Sequence, residues 1–351
     1  MTGSEVLQNT RVLATVTSYD DREAWLAARR SGVGASDAAA ICGLDAWRSP
    51  MAVWLDKVGL GDDTENAAMR WGQLLEGVVA DEFAEQHPEL SLSAPVGIYQ
   101  HATHDWMLAS PDRIVALADA PGEPRALLEI KTAGQYVADK WADGVPDAYQ
   151  VQVQHQLAVC GLDRAWVAVL IGGRDYRTFE VARDDAALDA LIDIEQEFWE
   201  GHVLTGEPPP VDGHESTTDA LKRLYADARA DTEVDLPADA RDLLDRLRLA
   251  KAERKAVEDT VGELENQLRA WLGTATAGTL DGRQVVTWKP FGQGRVDEDR
   301  FAAAQPDVVA GYRRTVEVVD WDVLAAEQPE LVKPYRNRPP RRLVVKKEAY
   351  R

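Results

Sequence analysis

Cysteine is nearly absent from the 351-residue chain, with Cys42 and Cys160 its only two. Two thiols exclude a disulfide scaffold, a four-cysteine zinc site and a cysteine-held iron–sulfur cluster, and a reducing cytoplasm is the expected compartment. No apolar run approaches the ~18 residues of a membrane span, so no membrane partner is expected. The opening stretch MTGSEVLQNTRVLATV has no basic region leading into an apolar one, and no secretory signal is expected. Basic residues are in deficit too. Lys and Arg number 39 against 60 Asp and Glu, a formal net charge of −21, which argues against non-specific affinity for nucleic acid. No internal repeat is visible.

What remains is an ordinary globular composition, 45% hydrophobic and 28% charged. The length allows two or three domains at roughly 150 residues each. Charge is spread unevenly, however. The last sixteen residues, RNRPPRRLVVKKEAYR, hold seven basic residues and one acid, Glu348. An acidic protein can therefore still carry one basic surface, and net charge does not decide the partner. Those sixteen residues fit either a tail lying on DNA phosphates or a closing strand around Leu343, Val344 and Val345.

Residues 1–18 show no period and read as a flexible arm. From 19 to 205, apolar strands alternate with amphipathic helices, the pattern of an α/β unit. Helices are expected at 21–30, 36–42, 50–58, 66–86, 147–160 and 184–201. Strands are expected at 96–101, 105–109, 112–118, 125–131, 164–171 and 175–182. A Pro-rich run, Gly206-Glu207-Pro208-Pro209-Pro210, marks a linker over 206–216. Residues 217–272 read as a helical arm. From Ala240 the apolar spacing alternates three and four: Ala240, Leu243, Leu247, Ala250, Arg254, Val257, Val261, Leu264, Leu268, Trp271. That is a coiled-coil seam about 50 Å long, interrupted only by Arg254. It fits an oligomerising arm or, as the preferred reading, one helix of a hairpin packed on 217–230. Residues 273–351 return to short strands and turns and end in the basic tail.

The strongest chemical signal lies in residues 105–131, where a strand ends at Ser110-Pro111-Asp112 and another leads into Leu127-Leu128-Glu129-Ile130-Lys131. Side chains alternate along a strand, so Glu129 and Lys131 share a face while Ile130 points to the core. Asp112 begins a strand able to bring its carboxylate beside Glu129. Two carboxylates and an ammonium among apolar neighbours are costly to bury, and a divalent cation offsets the repulsion. A solvated edge strand fits the same pattern. Three other segments bear on it. Glu76 lies on the helix line Gly72–Glu76–Val79–Phe83, either as a third ligand or at the edge of the stripe. Tyr149, Gln152 and Gln156 share a face of the next helix, either toward phosphate and water or as a plain polar exterior. Lone His155 is not a ligand candidate. In Arg29-Arg30-Ser31-Gly32-Val33-Gly34-Ala35-Ser36-Asp37 the glycines allow close backbone approach, and Arg30 with a helix start capped by Ser36 makes either an anion site or an ordinary capped helix.

In order, RRSGVGASDAAAICGLDAWRSPMAVWLDKVG, MRWGQLLEGVVADEFAE, LASPDRI, LLEIKTA and YQVQVQHQLAV resemble the successive motifs of the YqaJ-type viral recombinase nucleases. These belong to the lambda exonuclease group of the PD-(D/E)XK, or restriction-endonuclease-like, superfamily. The match runs from about residue 21 to 201, and PPPVDGHESTTDAL and RPPRRLVVK resemble the tails of phage members. The resemblance implies a mixed central sheet flanked by helices over 19–205. It implies one Mg²⁺ held by Asp112, Glu129 and the Ile130 carbonyl, and a second held by Asp112 and Glu76, with Mn²⁺ as a substitute. Lys131 would act on the attacking water beside Gln152. Arg30 and Ser36 would grip a 5′-phosphate, near Ser110 and Tyr149, with Arg29 the alternative to Arg30. The implied activity is 5′→3′ exonuclease on linear double-stranded DNA, leaving 3′ single strands for an annealing protein, by a ring-shaped homo-oligomer. An endonuclease or nickase of the same fold would keep these residues, whereas a non-catalytic end-binding module would need a broken Asp-Glu-Lys set. Residues 217–351 have no counterpart in the shorter lambda enzyme.

Overall fold

The structure, a computed structural model, describes residues 10–15, 21–61, 66–227, 232–290, 297–312 and 318–335. The basic stretch 336–351 lies outside them. The chain divides into two units, Met1–Asp227 and Ala228–Arg351. In chain order the first unit runs β1 (Thr10–Ala14), α1 (Arg22–Arg29), β2 (Val33–Gly34), α2 (Ala35–Ile41), α3 (Pro50–Lys57) and α4 (Ala67–Gln86). Then follow β3 (Leu90–Ser93), β4 (Ile98–His101), β5 (Met107–Ala109), β6 (Arg113–Leu117), β7 (Ala120–Ala133) and α5 (Asp147–Cys160). Last come β8 (Arg164–Ile171), β9 (Asp175–Ala182), α6 (Asp185–Phe198) and α7 (Glu215–Leu224).

A five-stranded mixed sheet, ordered β3-β6-β7-β8-β9, forms the centre. Only β7 and β8 run parallel; the other neighbours are antiparallel. A parallel pair needs a crossover, and α5 supplies it. The alternation along β7 serves two layers. Leu128 and Ile130 meet Val79, Ala80 and Phe83 of α4 on one face. Leu127 meets Val153 and Leu157 of α5 in the core on the other. Burying a side chain such as Phe83, which is fully enclosed, contributes about 1.5–3 kcal/mol. The mixed sheet flanked by helices is therefore the architecture the sequence implies.

A smaller sheet, β1-β4-β5-β2, contains the first departure. Thr10–Ala14 falls within the stretch expected as a flexible arm, yet it pairs antiparallel with β4, Thr10 opposite His101. Gly97 makes room for it. At φ +148°, a Cβ on Gly97 would collide with the Ala14 carbonyl.

The unit also does not end at the Pro-rich run. Residues 206–216 lead into α7, whose Thr217 and Ala220 are buried, and α7 packs on α3. The Ser49 amide donates to Ser216 Oγ at 2.8 Å. The small buried side chains of α7 are thus engaged within the first unit.

The second unit opens with α8 (Ala240–Leu272), followed by the antiparallel pair β10 (Ala277–Leu280) and β11 (Arg283–Thr287). Asp281 and Gly282 join them at φ +49° and +77°. Two positive φ values in a two-residue loop are the twist-matching geometry of hairpins, and Asp-Gly tolerates it well. Four short helices, α9 (Glu298–Ala304), α10 (Pro306–Tyr312), α11 (Trp321–Glu327) and α12 (Pro329–Val332), complete the described residues. Among the described residues of this unit, none is buried. No helix among the described residues is long and apolar enough to cross a membrane.

Candidate active site

The β6–β7 register sets Arg113 opposite Leu128, which brings Asp112 across from Glu129. Asp112 Oδ2 accepts from the Ile130 amide at 2.6 Å. Glu129 is buried and surrounded by donors. Its Oε1 takes Lys131 Nζ and Gln152 Nε2, each at 2.6 Å, and its Oε2 takes Gln156 Nε2 at 2.7 Å. Lys131 also donates to Gln152 Oε1 at 3.0 Å, and it sits 4.9 Å from the centre of the Tyr149 ring. A cleft over these groups is lined by Met69, Gly72, Glu76, Asp112, Glu129, Ile130, Lys131, Thr132 and Tyr149.

Burial pushes the Asp112 carboxyl well above the usual carboxylate range. The charges of Glu129 and Glu76 push the same way, and Lys131 and the Ile130 amide only partly offset them. For Lys131, burial works against the charge, but Glu129 and Asp112 outweigh it and hold the ammonium protonated. Three carboxyl groups, Asp112, Glu129 and Glu76, share the cleft with the Lys131 ammonium, an excess of acidic oxygen donors that a hard divalent cation relieves. Asp112, Glu129 and the Ile130 carbonyl fit that role. Glu76 lines the same cleft, and its Oε1 is held by Arg113 Nη1 at 2.5 Å. Among the described residues no three His, Cys, Asp or Glu side chains converge as a cation cage.

A second cleft adjoins the first. It is lined by Trp25, Arg29, Gly34, Ala35, Ser36, Ile98, Leu108, Ala109, Ser110, Gln152 and Gln156. Gln152 thus faces this cleft while holding the Glu129 carboxylate of the other. Arg29, not Arg30, presents the guanidinium. It donates to Ser36 Oγ at 2.7 Å and lies 4.6 Å over the Trp25 ring, whereas Arg30 is the residue capping the end of α1. At the start of α2 the Gly34 amide donates to Asp37 Oδ2 at 3.0 Å, while Ala35 and Ser36 line the cleft. At Gly32 the close backbone approach is to protein, whereas Gly34 lines the cleft. A Cβ on Gly32 would collide with the Trp106 carbonyl.

Asp37 is fully buried among cations, with Lys57 Nζ at 2.7 Å, Arg48 Nη1 at 2.8 Å and Arg29 Nη2 at 3.7 Å. Burial alone would raise its pKa, but the three cations outweigh burial and hold it far below the usual range. This hub fixes the guanidinium that faces the second cleft.

His155 is a satisfied core histidine. It is fully buried, its Nδ1 lies 2.8 and 2.9 Å from the two Glu195 oxygens, and its Nε2 lies 2.9 Å from the Leu108 carbonyl. Both partners accept, so both ring nitrogens donate and the imidazolium is favoured. Burial opposes that charge, but Glu195 outweighs burial and the pKa is raised. A raised pKa stabilises the fold fully below the unfolded value of about 6.5 and loses the contribution as pH rises through the folded value. His155→Gln is therefore expected to melt below the parent near pH 6, with the gap narrowing toward pH 9. A gap constant over that range, measured by calorimetry, would show a neutral imidazole.

Of the residues singled out in the sequence, Glu76, Asp112, Glu129, Ile130, Lys131 and Tyr149 line the first cleft, and Ser36, Ser110 and Gln152 line the second. Gln152 and Gln156 direct their amides at Glu129, not at open space. Arg113 was not foreseen as the partner of Glu76. Gln156 was visible one turn beyond Gln152 on the same helix face.

The family model of the YqaJ-like viral recombinase domain matches residues 24–163, a stretch that contains both clefts. The Bacillus subtilis (strain 168) protein described as uncharacterized protein YqaJ is 36% identical over 292 residues, covering 82% of this chain and 89% of its own. The chain belongs to the YqaJ-like viral recombinase family. An alkaline exonuclease from Laribacter hongkongensis is similar at 23% identity and a TM-score of 0.45, over 58% of this chain and 98% of its own. A putative exonuclease from Eubacterium rectale is similar at 14% identity and a TM-score of 0.36, over 66% of this chain and 98% of its own.

Proposed function

We propose that the chain is a metal-dependent deoxyribonuclease that degrades linear duplex DNA from its 5′ ends, leaving 3′ single strands for an annealing protein. The observation that carries this reading is the junction of the two clefts at Gln152. A guanidinium and two hydroxyls suited to a phosphate stand beside a carboxylate pair and a protonated lysine suited to hydrolysing the next linkage. Membership of the YqaJ-like viral recombinase family supports a nuclease reading.

Arg29 and Ser36 bind the terminal phosphate, with Ser110 on the same wall. Gln152 fixes the Glu129 carboxylate and so the spacing between phosphate grip and acids. Asp112, Glu129 and the Ile130 carbonyl would hold Mg²⁺, or Mn²⁺ in its place, and Glu76 would join Asp112 at a second ion once released by Arg113. When bound, such ions lower the pKa of a water and stabilise the leaving 3′-oxygen. Lys131, kept protonated by its two acid neighbours, orients the attacking water and a phosphoryl oxygen by donating hydrogen bonds. As in the group the sequence resembles, copies would assemble as a ring around the duplex.

Linear and closed circular duplexes, each with and without Mg²⁺, test the reading together. Only linear DNA with Mg²⁺ is expected to be degraded. Cutting of closed circles would make the chain an endonuclease, and end binding without cutting would make it a binding module. Arg29→Ala is expected to lose about 10–100-fold on 5′-phosphorylated ends, the worth of a charge-assisted hydrogen bond, and little on 5′-hydroxyl ends. Arg30→Ala is expected to spare that preference. The reverse order would return the phosphate contact to Arg30.

A further inference from the structure

The α8 helix carries an apolar seam that is exposed along its length. None of its residues is buried, and Val257 and Trp271 remain 63% and 80% exposed. The a positions of its heptads are Ala240, Leu247, Arg254, Val261 and Leu268, and the d positions are Leu243, Ala250, Val257, Leu264 and Trp271. The repeat is sustained for nearly five heptads, beyond the three or four that mark a coiled coil.

We propose that α8 pairs antiparallel with α8 of a second copy of this chain. Charge rules on direction. In a parallel, in-register pair the g positions face the e positions of the next heptad. Arg246 would then meet Lys251, Glu253 would meet Glu258, and the two Arg254 guanidiniums would share one layer of the seam. All three contacts set like charges together. Reversing one helix removes them. In the antiparallel register centred between Arg254 and Val257, each a residue faces a d residue. Leu247 meets Leu264, Leu243 meets Leu268, Ala250 meets Val261, and the smallest side chain, Ala240, meets the largest, Trp271. Small faces large at both tapered layers, as close packing requires. The e-position Lys251 comes opposite Glu258 of the other helix. Each Arg254 lies beside a valine, in a layer offset from the other Arg254, and keeps its own ion pair to Glu258 at 3.3 Å.

This pairing is a twofold contact between arms. It does not depend on the nuclease reading and is separate from any ring around DNA. Its test uses the full-length chain at micromolar concentration in analytical ultracentrifugation. The substitutions Val257→Asp and Val261→Asp, made together at exposed positions outside the catalytic unit, are expected to halve the parent's mass without changing its melting profile. An unchanged mass, or a parent already monomeric, would overturn the proposal. Orientation is read separately by oxidative cross-linking. The double variant Leu247→Cys with Leu264→Cys is expected to form a covalent dimer, while Leu247→Cys alone is not, with the parent as control for Cys42 and Cys160. Cross-linking by Leu247→Cys alone to the same extent would show a parallel pair and overturn the antiparallel one. Loss of end-dependent DNA cleavage with the mass halved would leave the pairing standing and bear only on how assembly serves activity.

Discussion

Asp112→Asn is expected to slow digestion of linear duplex DNA about a thousandfold or more while raising the melting temperature of the metal-free protein. The rate loss follows from removing a ligand of the charge that stabilises the transition state, a contribution of several kcal/mol at about 1.4 kcal/mol per tenfold. The stability gain has the opposite origin. Burial beside Glu129 and Glu76 raises the Asp112 pKa, so its ionised form is strained at neutral pH, and a neutral isostere relieves the strain. The Ile130 amide at 2.6 Å keeps an acceptor in the asparagine oxygen. Glu129→Gln is the contrasting case. Its carboxylate already satisfies Lys131, Gln152 and Gln156, so an amide there leaves a buried donor unpaired and should lower both activity and stability. Digestion by Asp112→Asn near the parent rate would remove Asp112 from the metal site. A lower melting temperature in a chelator would refute the excess of negative charge in the cleft.

That excess was legible in the sequence because it is local. Asp112 and Glu129 are joined by a hairpin, and the alternation of β7 alone puts Glu129 and Lys131 on one side. The amide helix α5 follows at once, so Gln152 and Gln156 were visible as a face, though not as a clamp on Glu129. What stayed hidden depends on distant partners. Glu76 and Arg113 belong to different elements, and no spacing rule joins a helix to the start of a strand. The strand Thr10–Ala14 has no partner within 80 residues, and its pairing with β4 depends on the space left by Gly97. α7 meets the start of α3 through Ser216 and Ser49, a contact across 167 residues that no local spacing announces. The apolar period of α8 was read correctly, yet a period identifies a face without saying what covers it.

The same distinction governs Asp37, which in the sequence is an acid three residues into a short helix after Gly34. In the fold it is the common partner of three cations: Lys57 of α3, Arg48 in the loop before α3, and Arg29 of α1. Lys57 is as deeply enclosed as the acid itself. Asp37→Asn is therefore expected to destabilise the first unit by about 3–5 kcal/mol, since breaking one partner of a buried pair leaves an uncompensated charge. At about 2–4 °C per kcal/mol for a unit of this size, the melting temperature should fall by roughly 10 °C. The pH dependence fixes the sign. A depressed carboxylate pKa stabilises the fold above the unfolded value of about 3.9 and loses that contribution as pH falls toward the folded value. The gap between parent and Asp37→Asn should accordingly be full at pH 7 and shrink below about pH 4. Adding Lys57→Met should recover part of the loss, because a neutral, apolar replacement of both partners removes the orphaned ammonium. The recovered double variant should nonetheless lose preference for 5′-phosphorylated ends, since Arg29 no longer has Asp37 beside it. A double variant as unstable as Asp37→Asn would assign the cost to the Gly34 amide at the start of α2 and not to the buried charges.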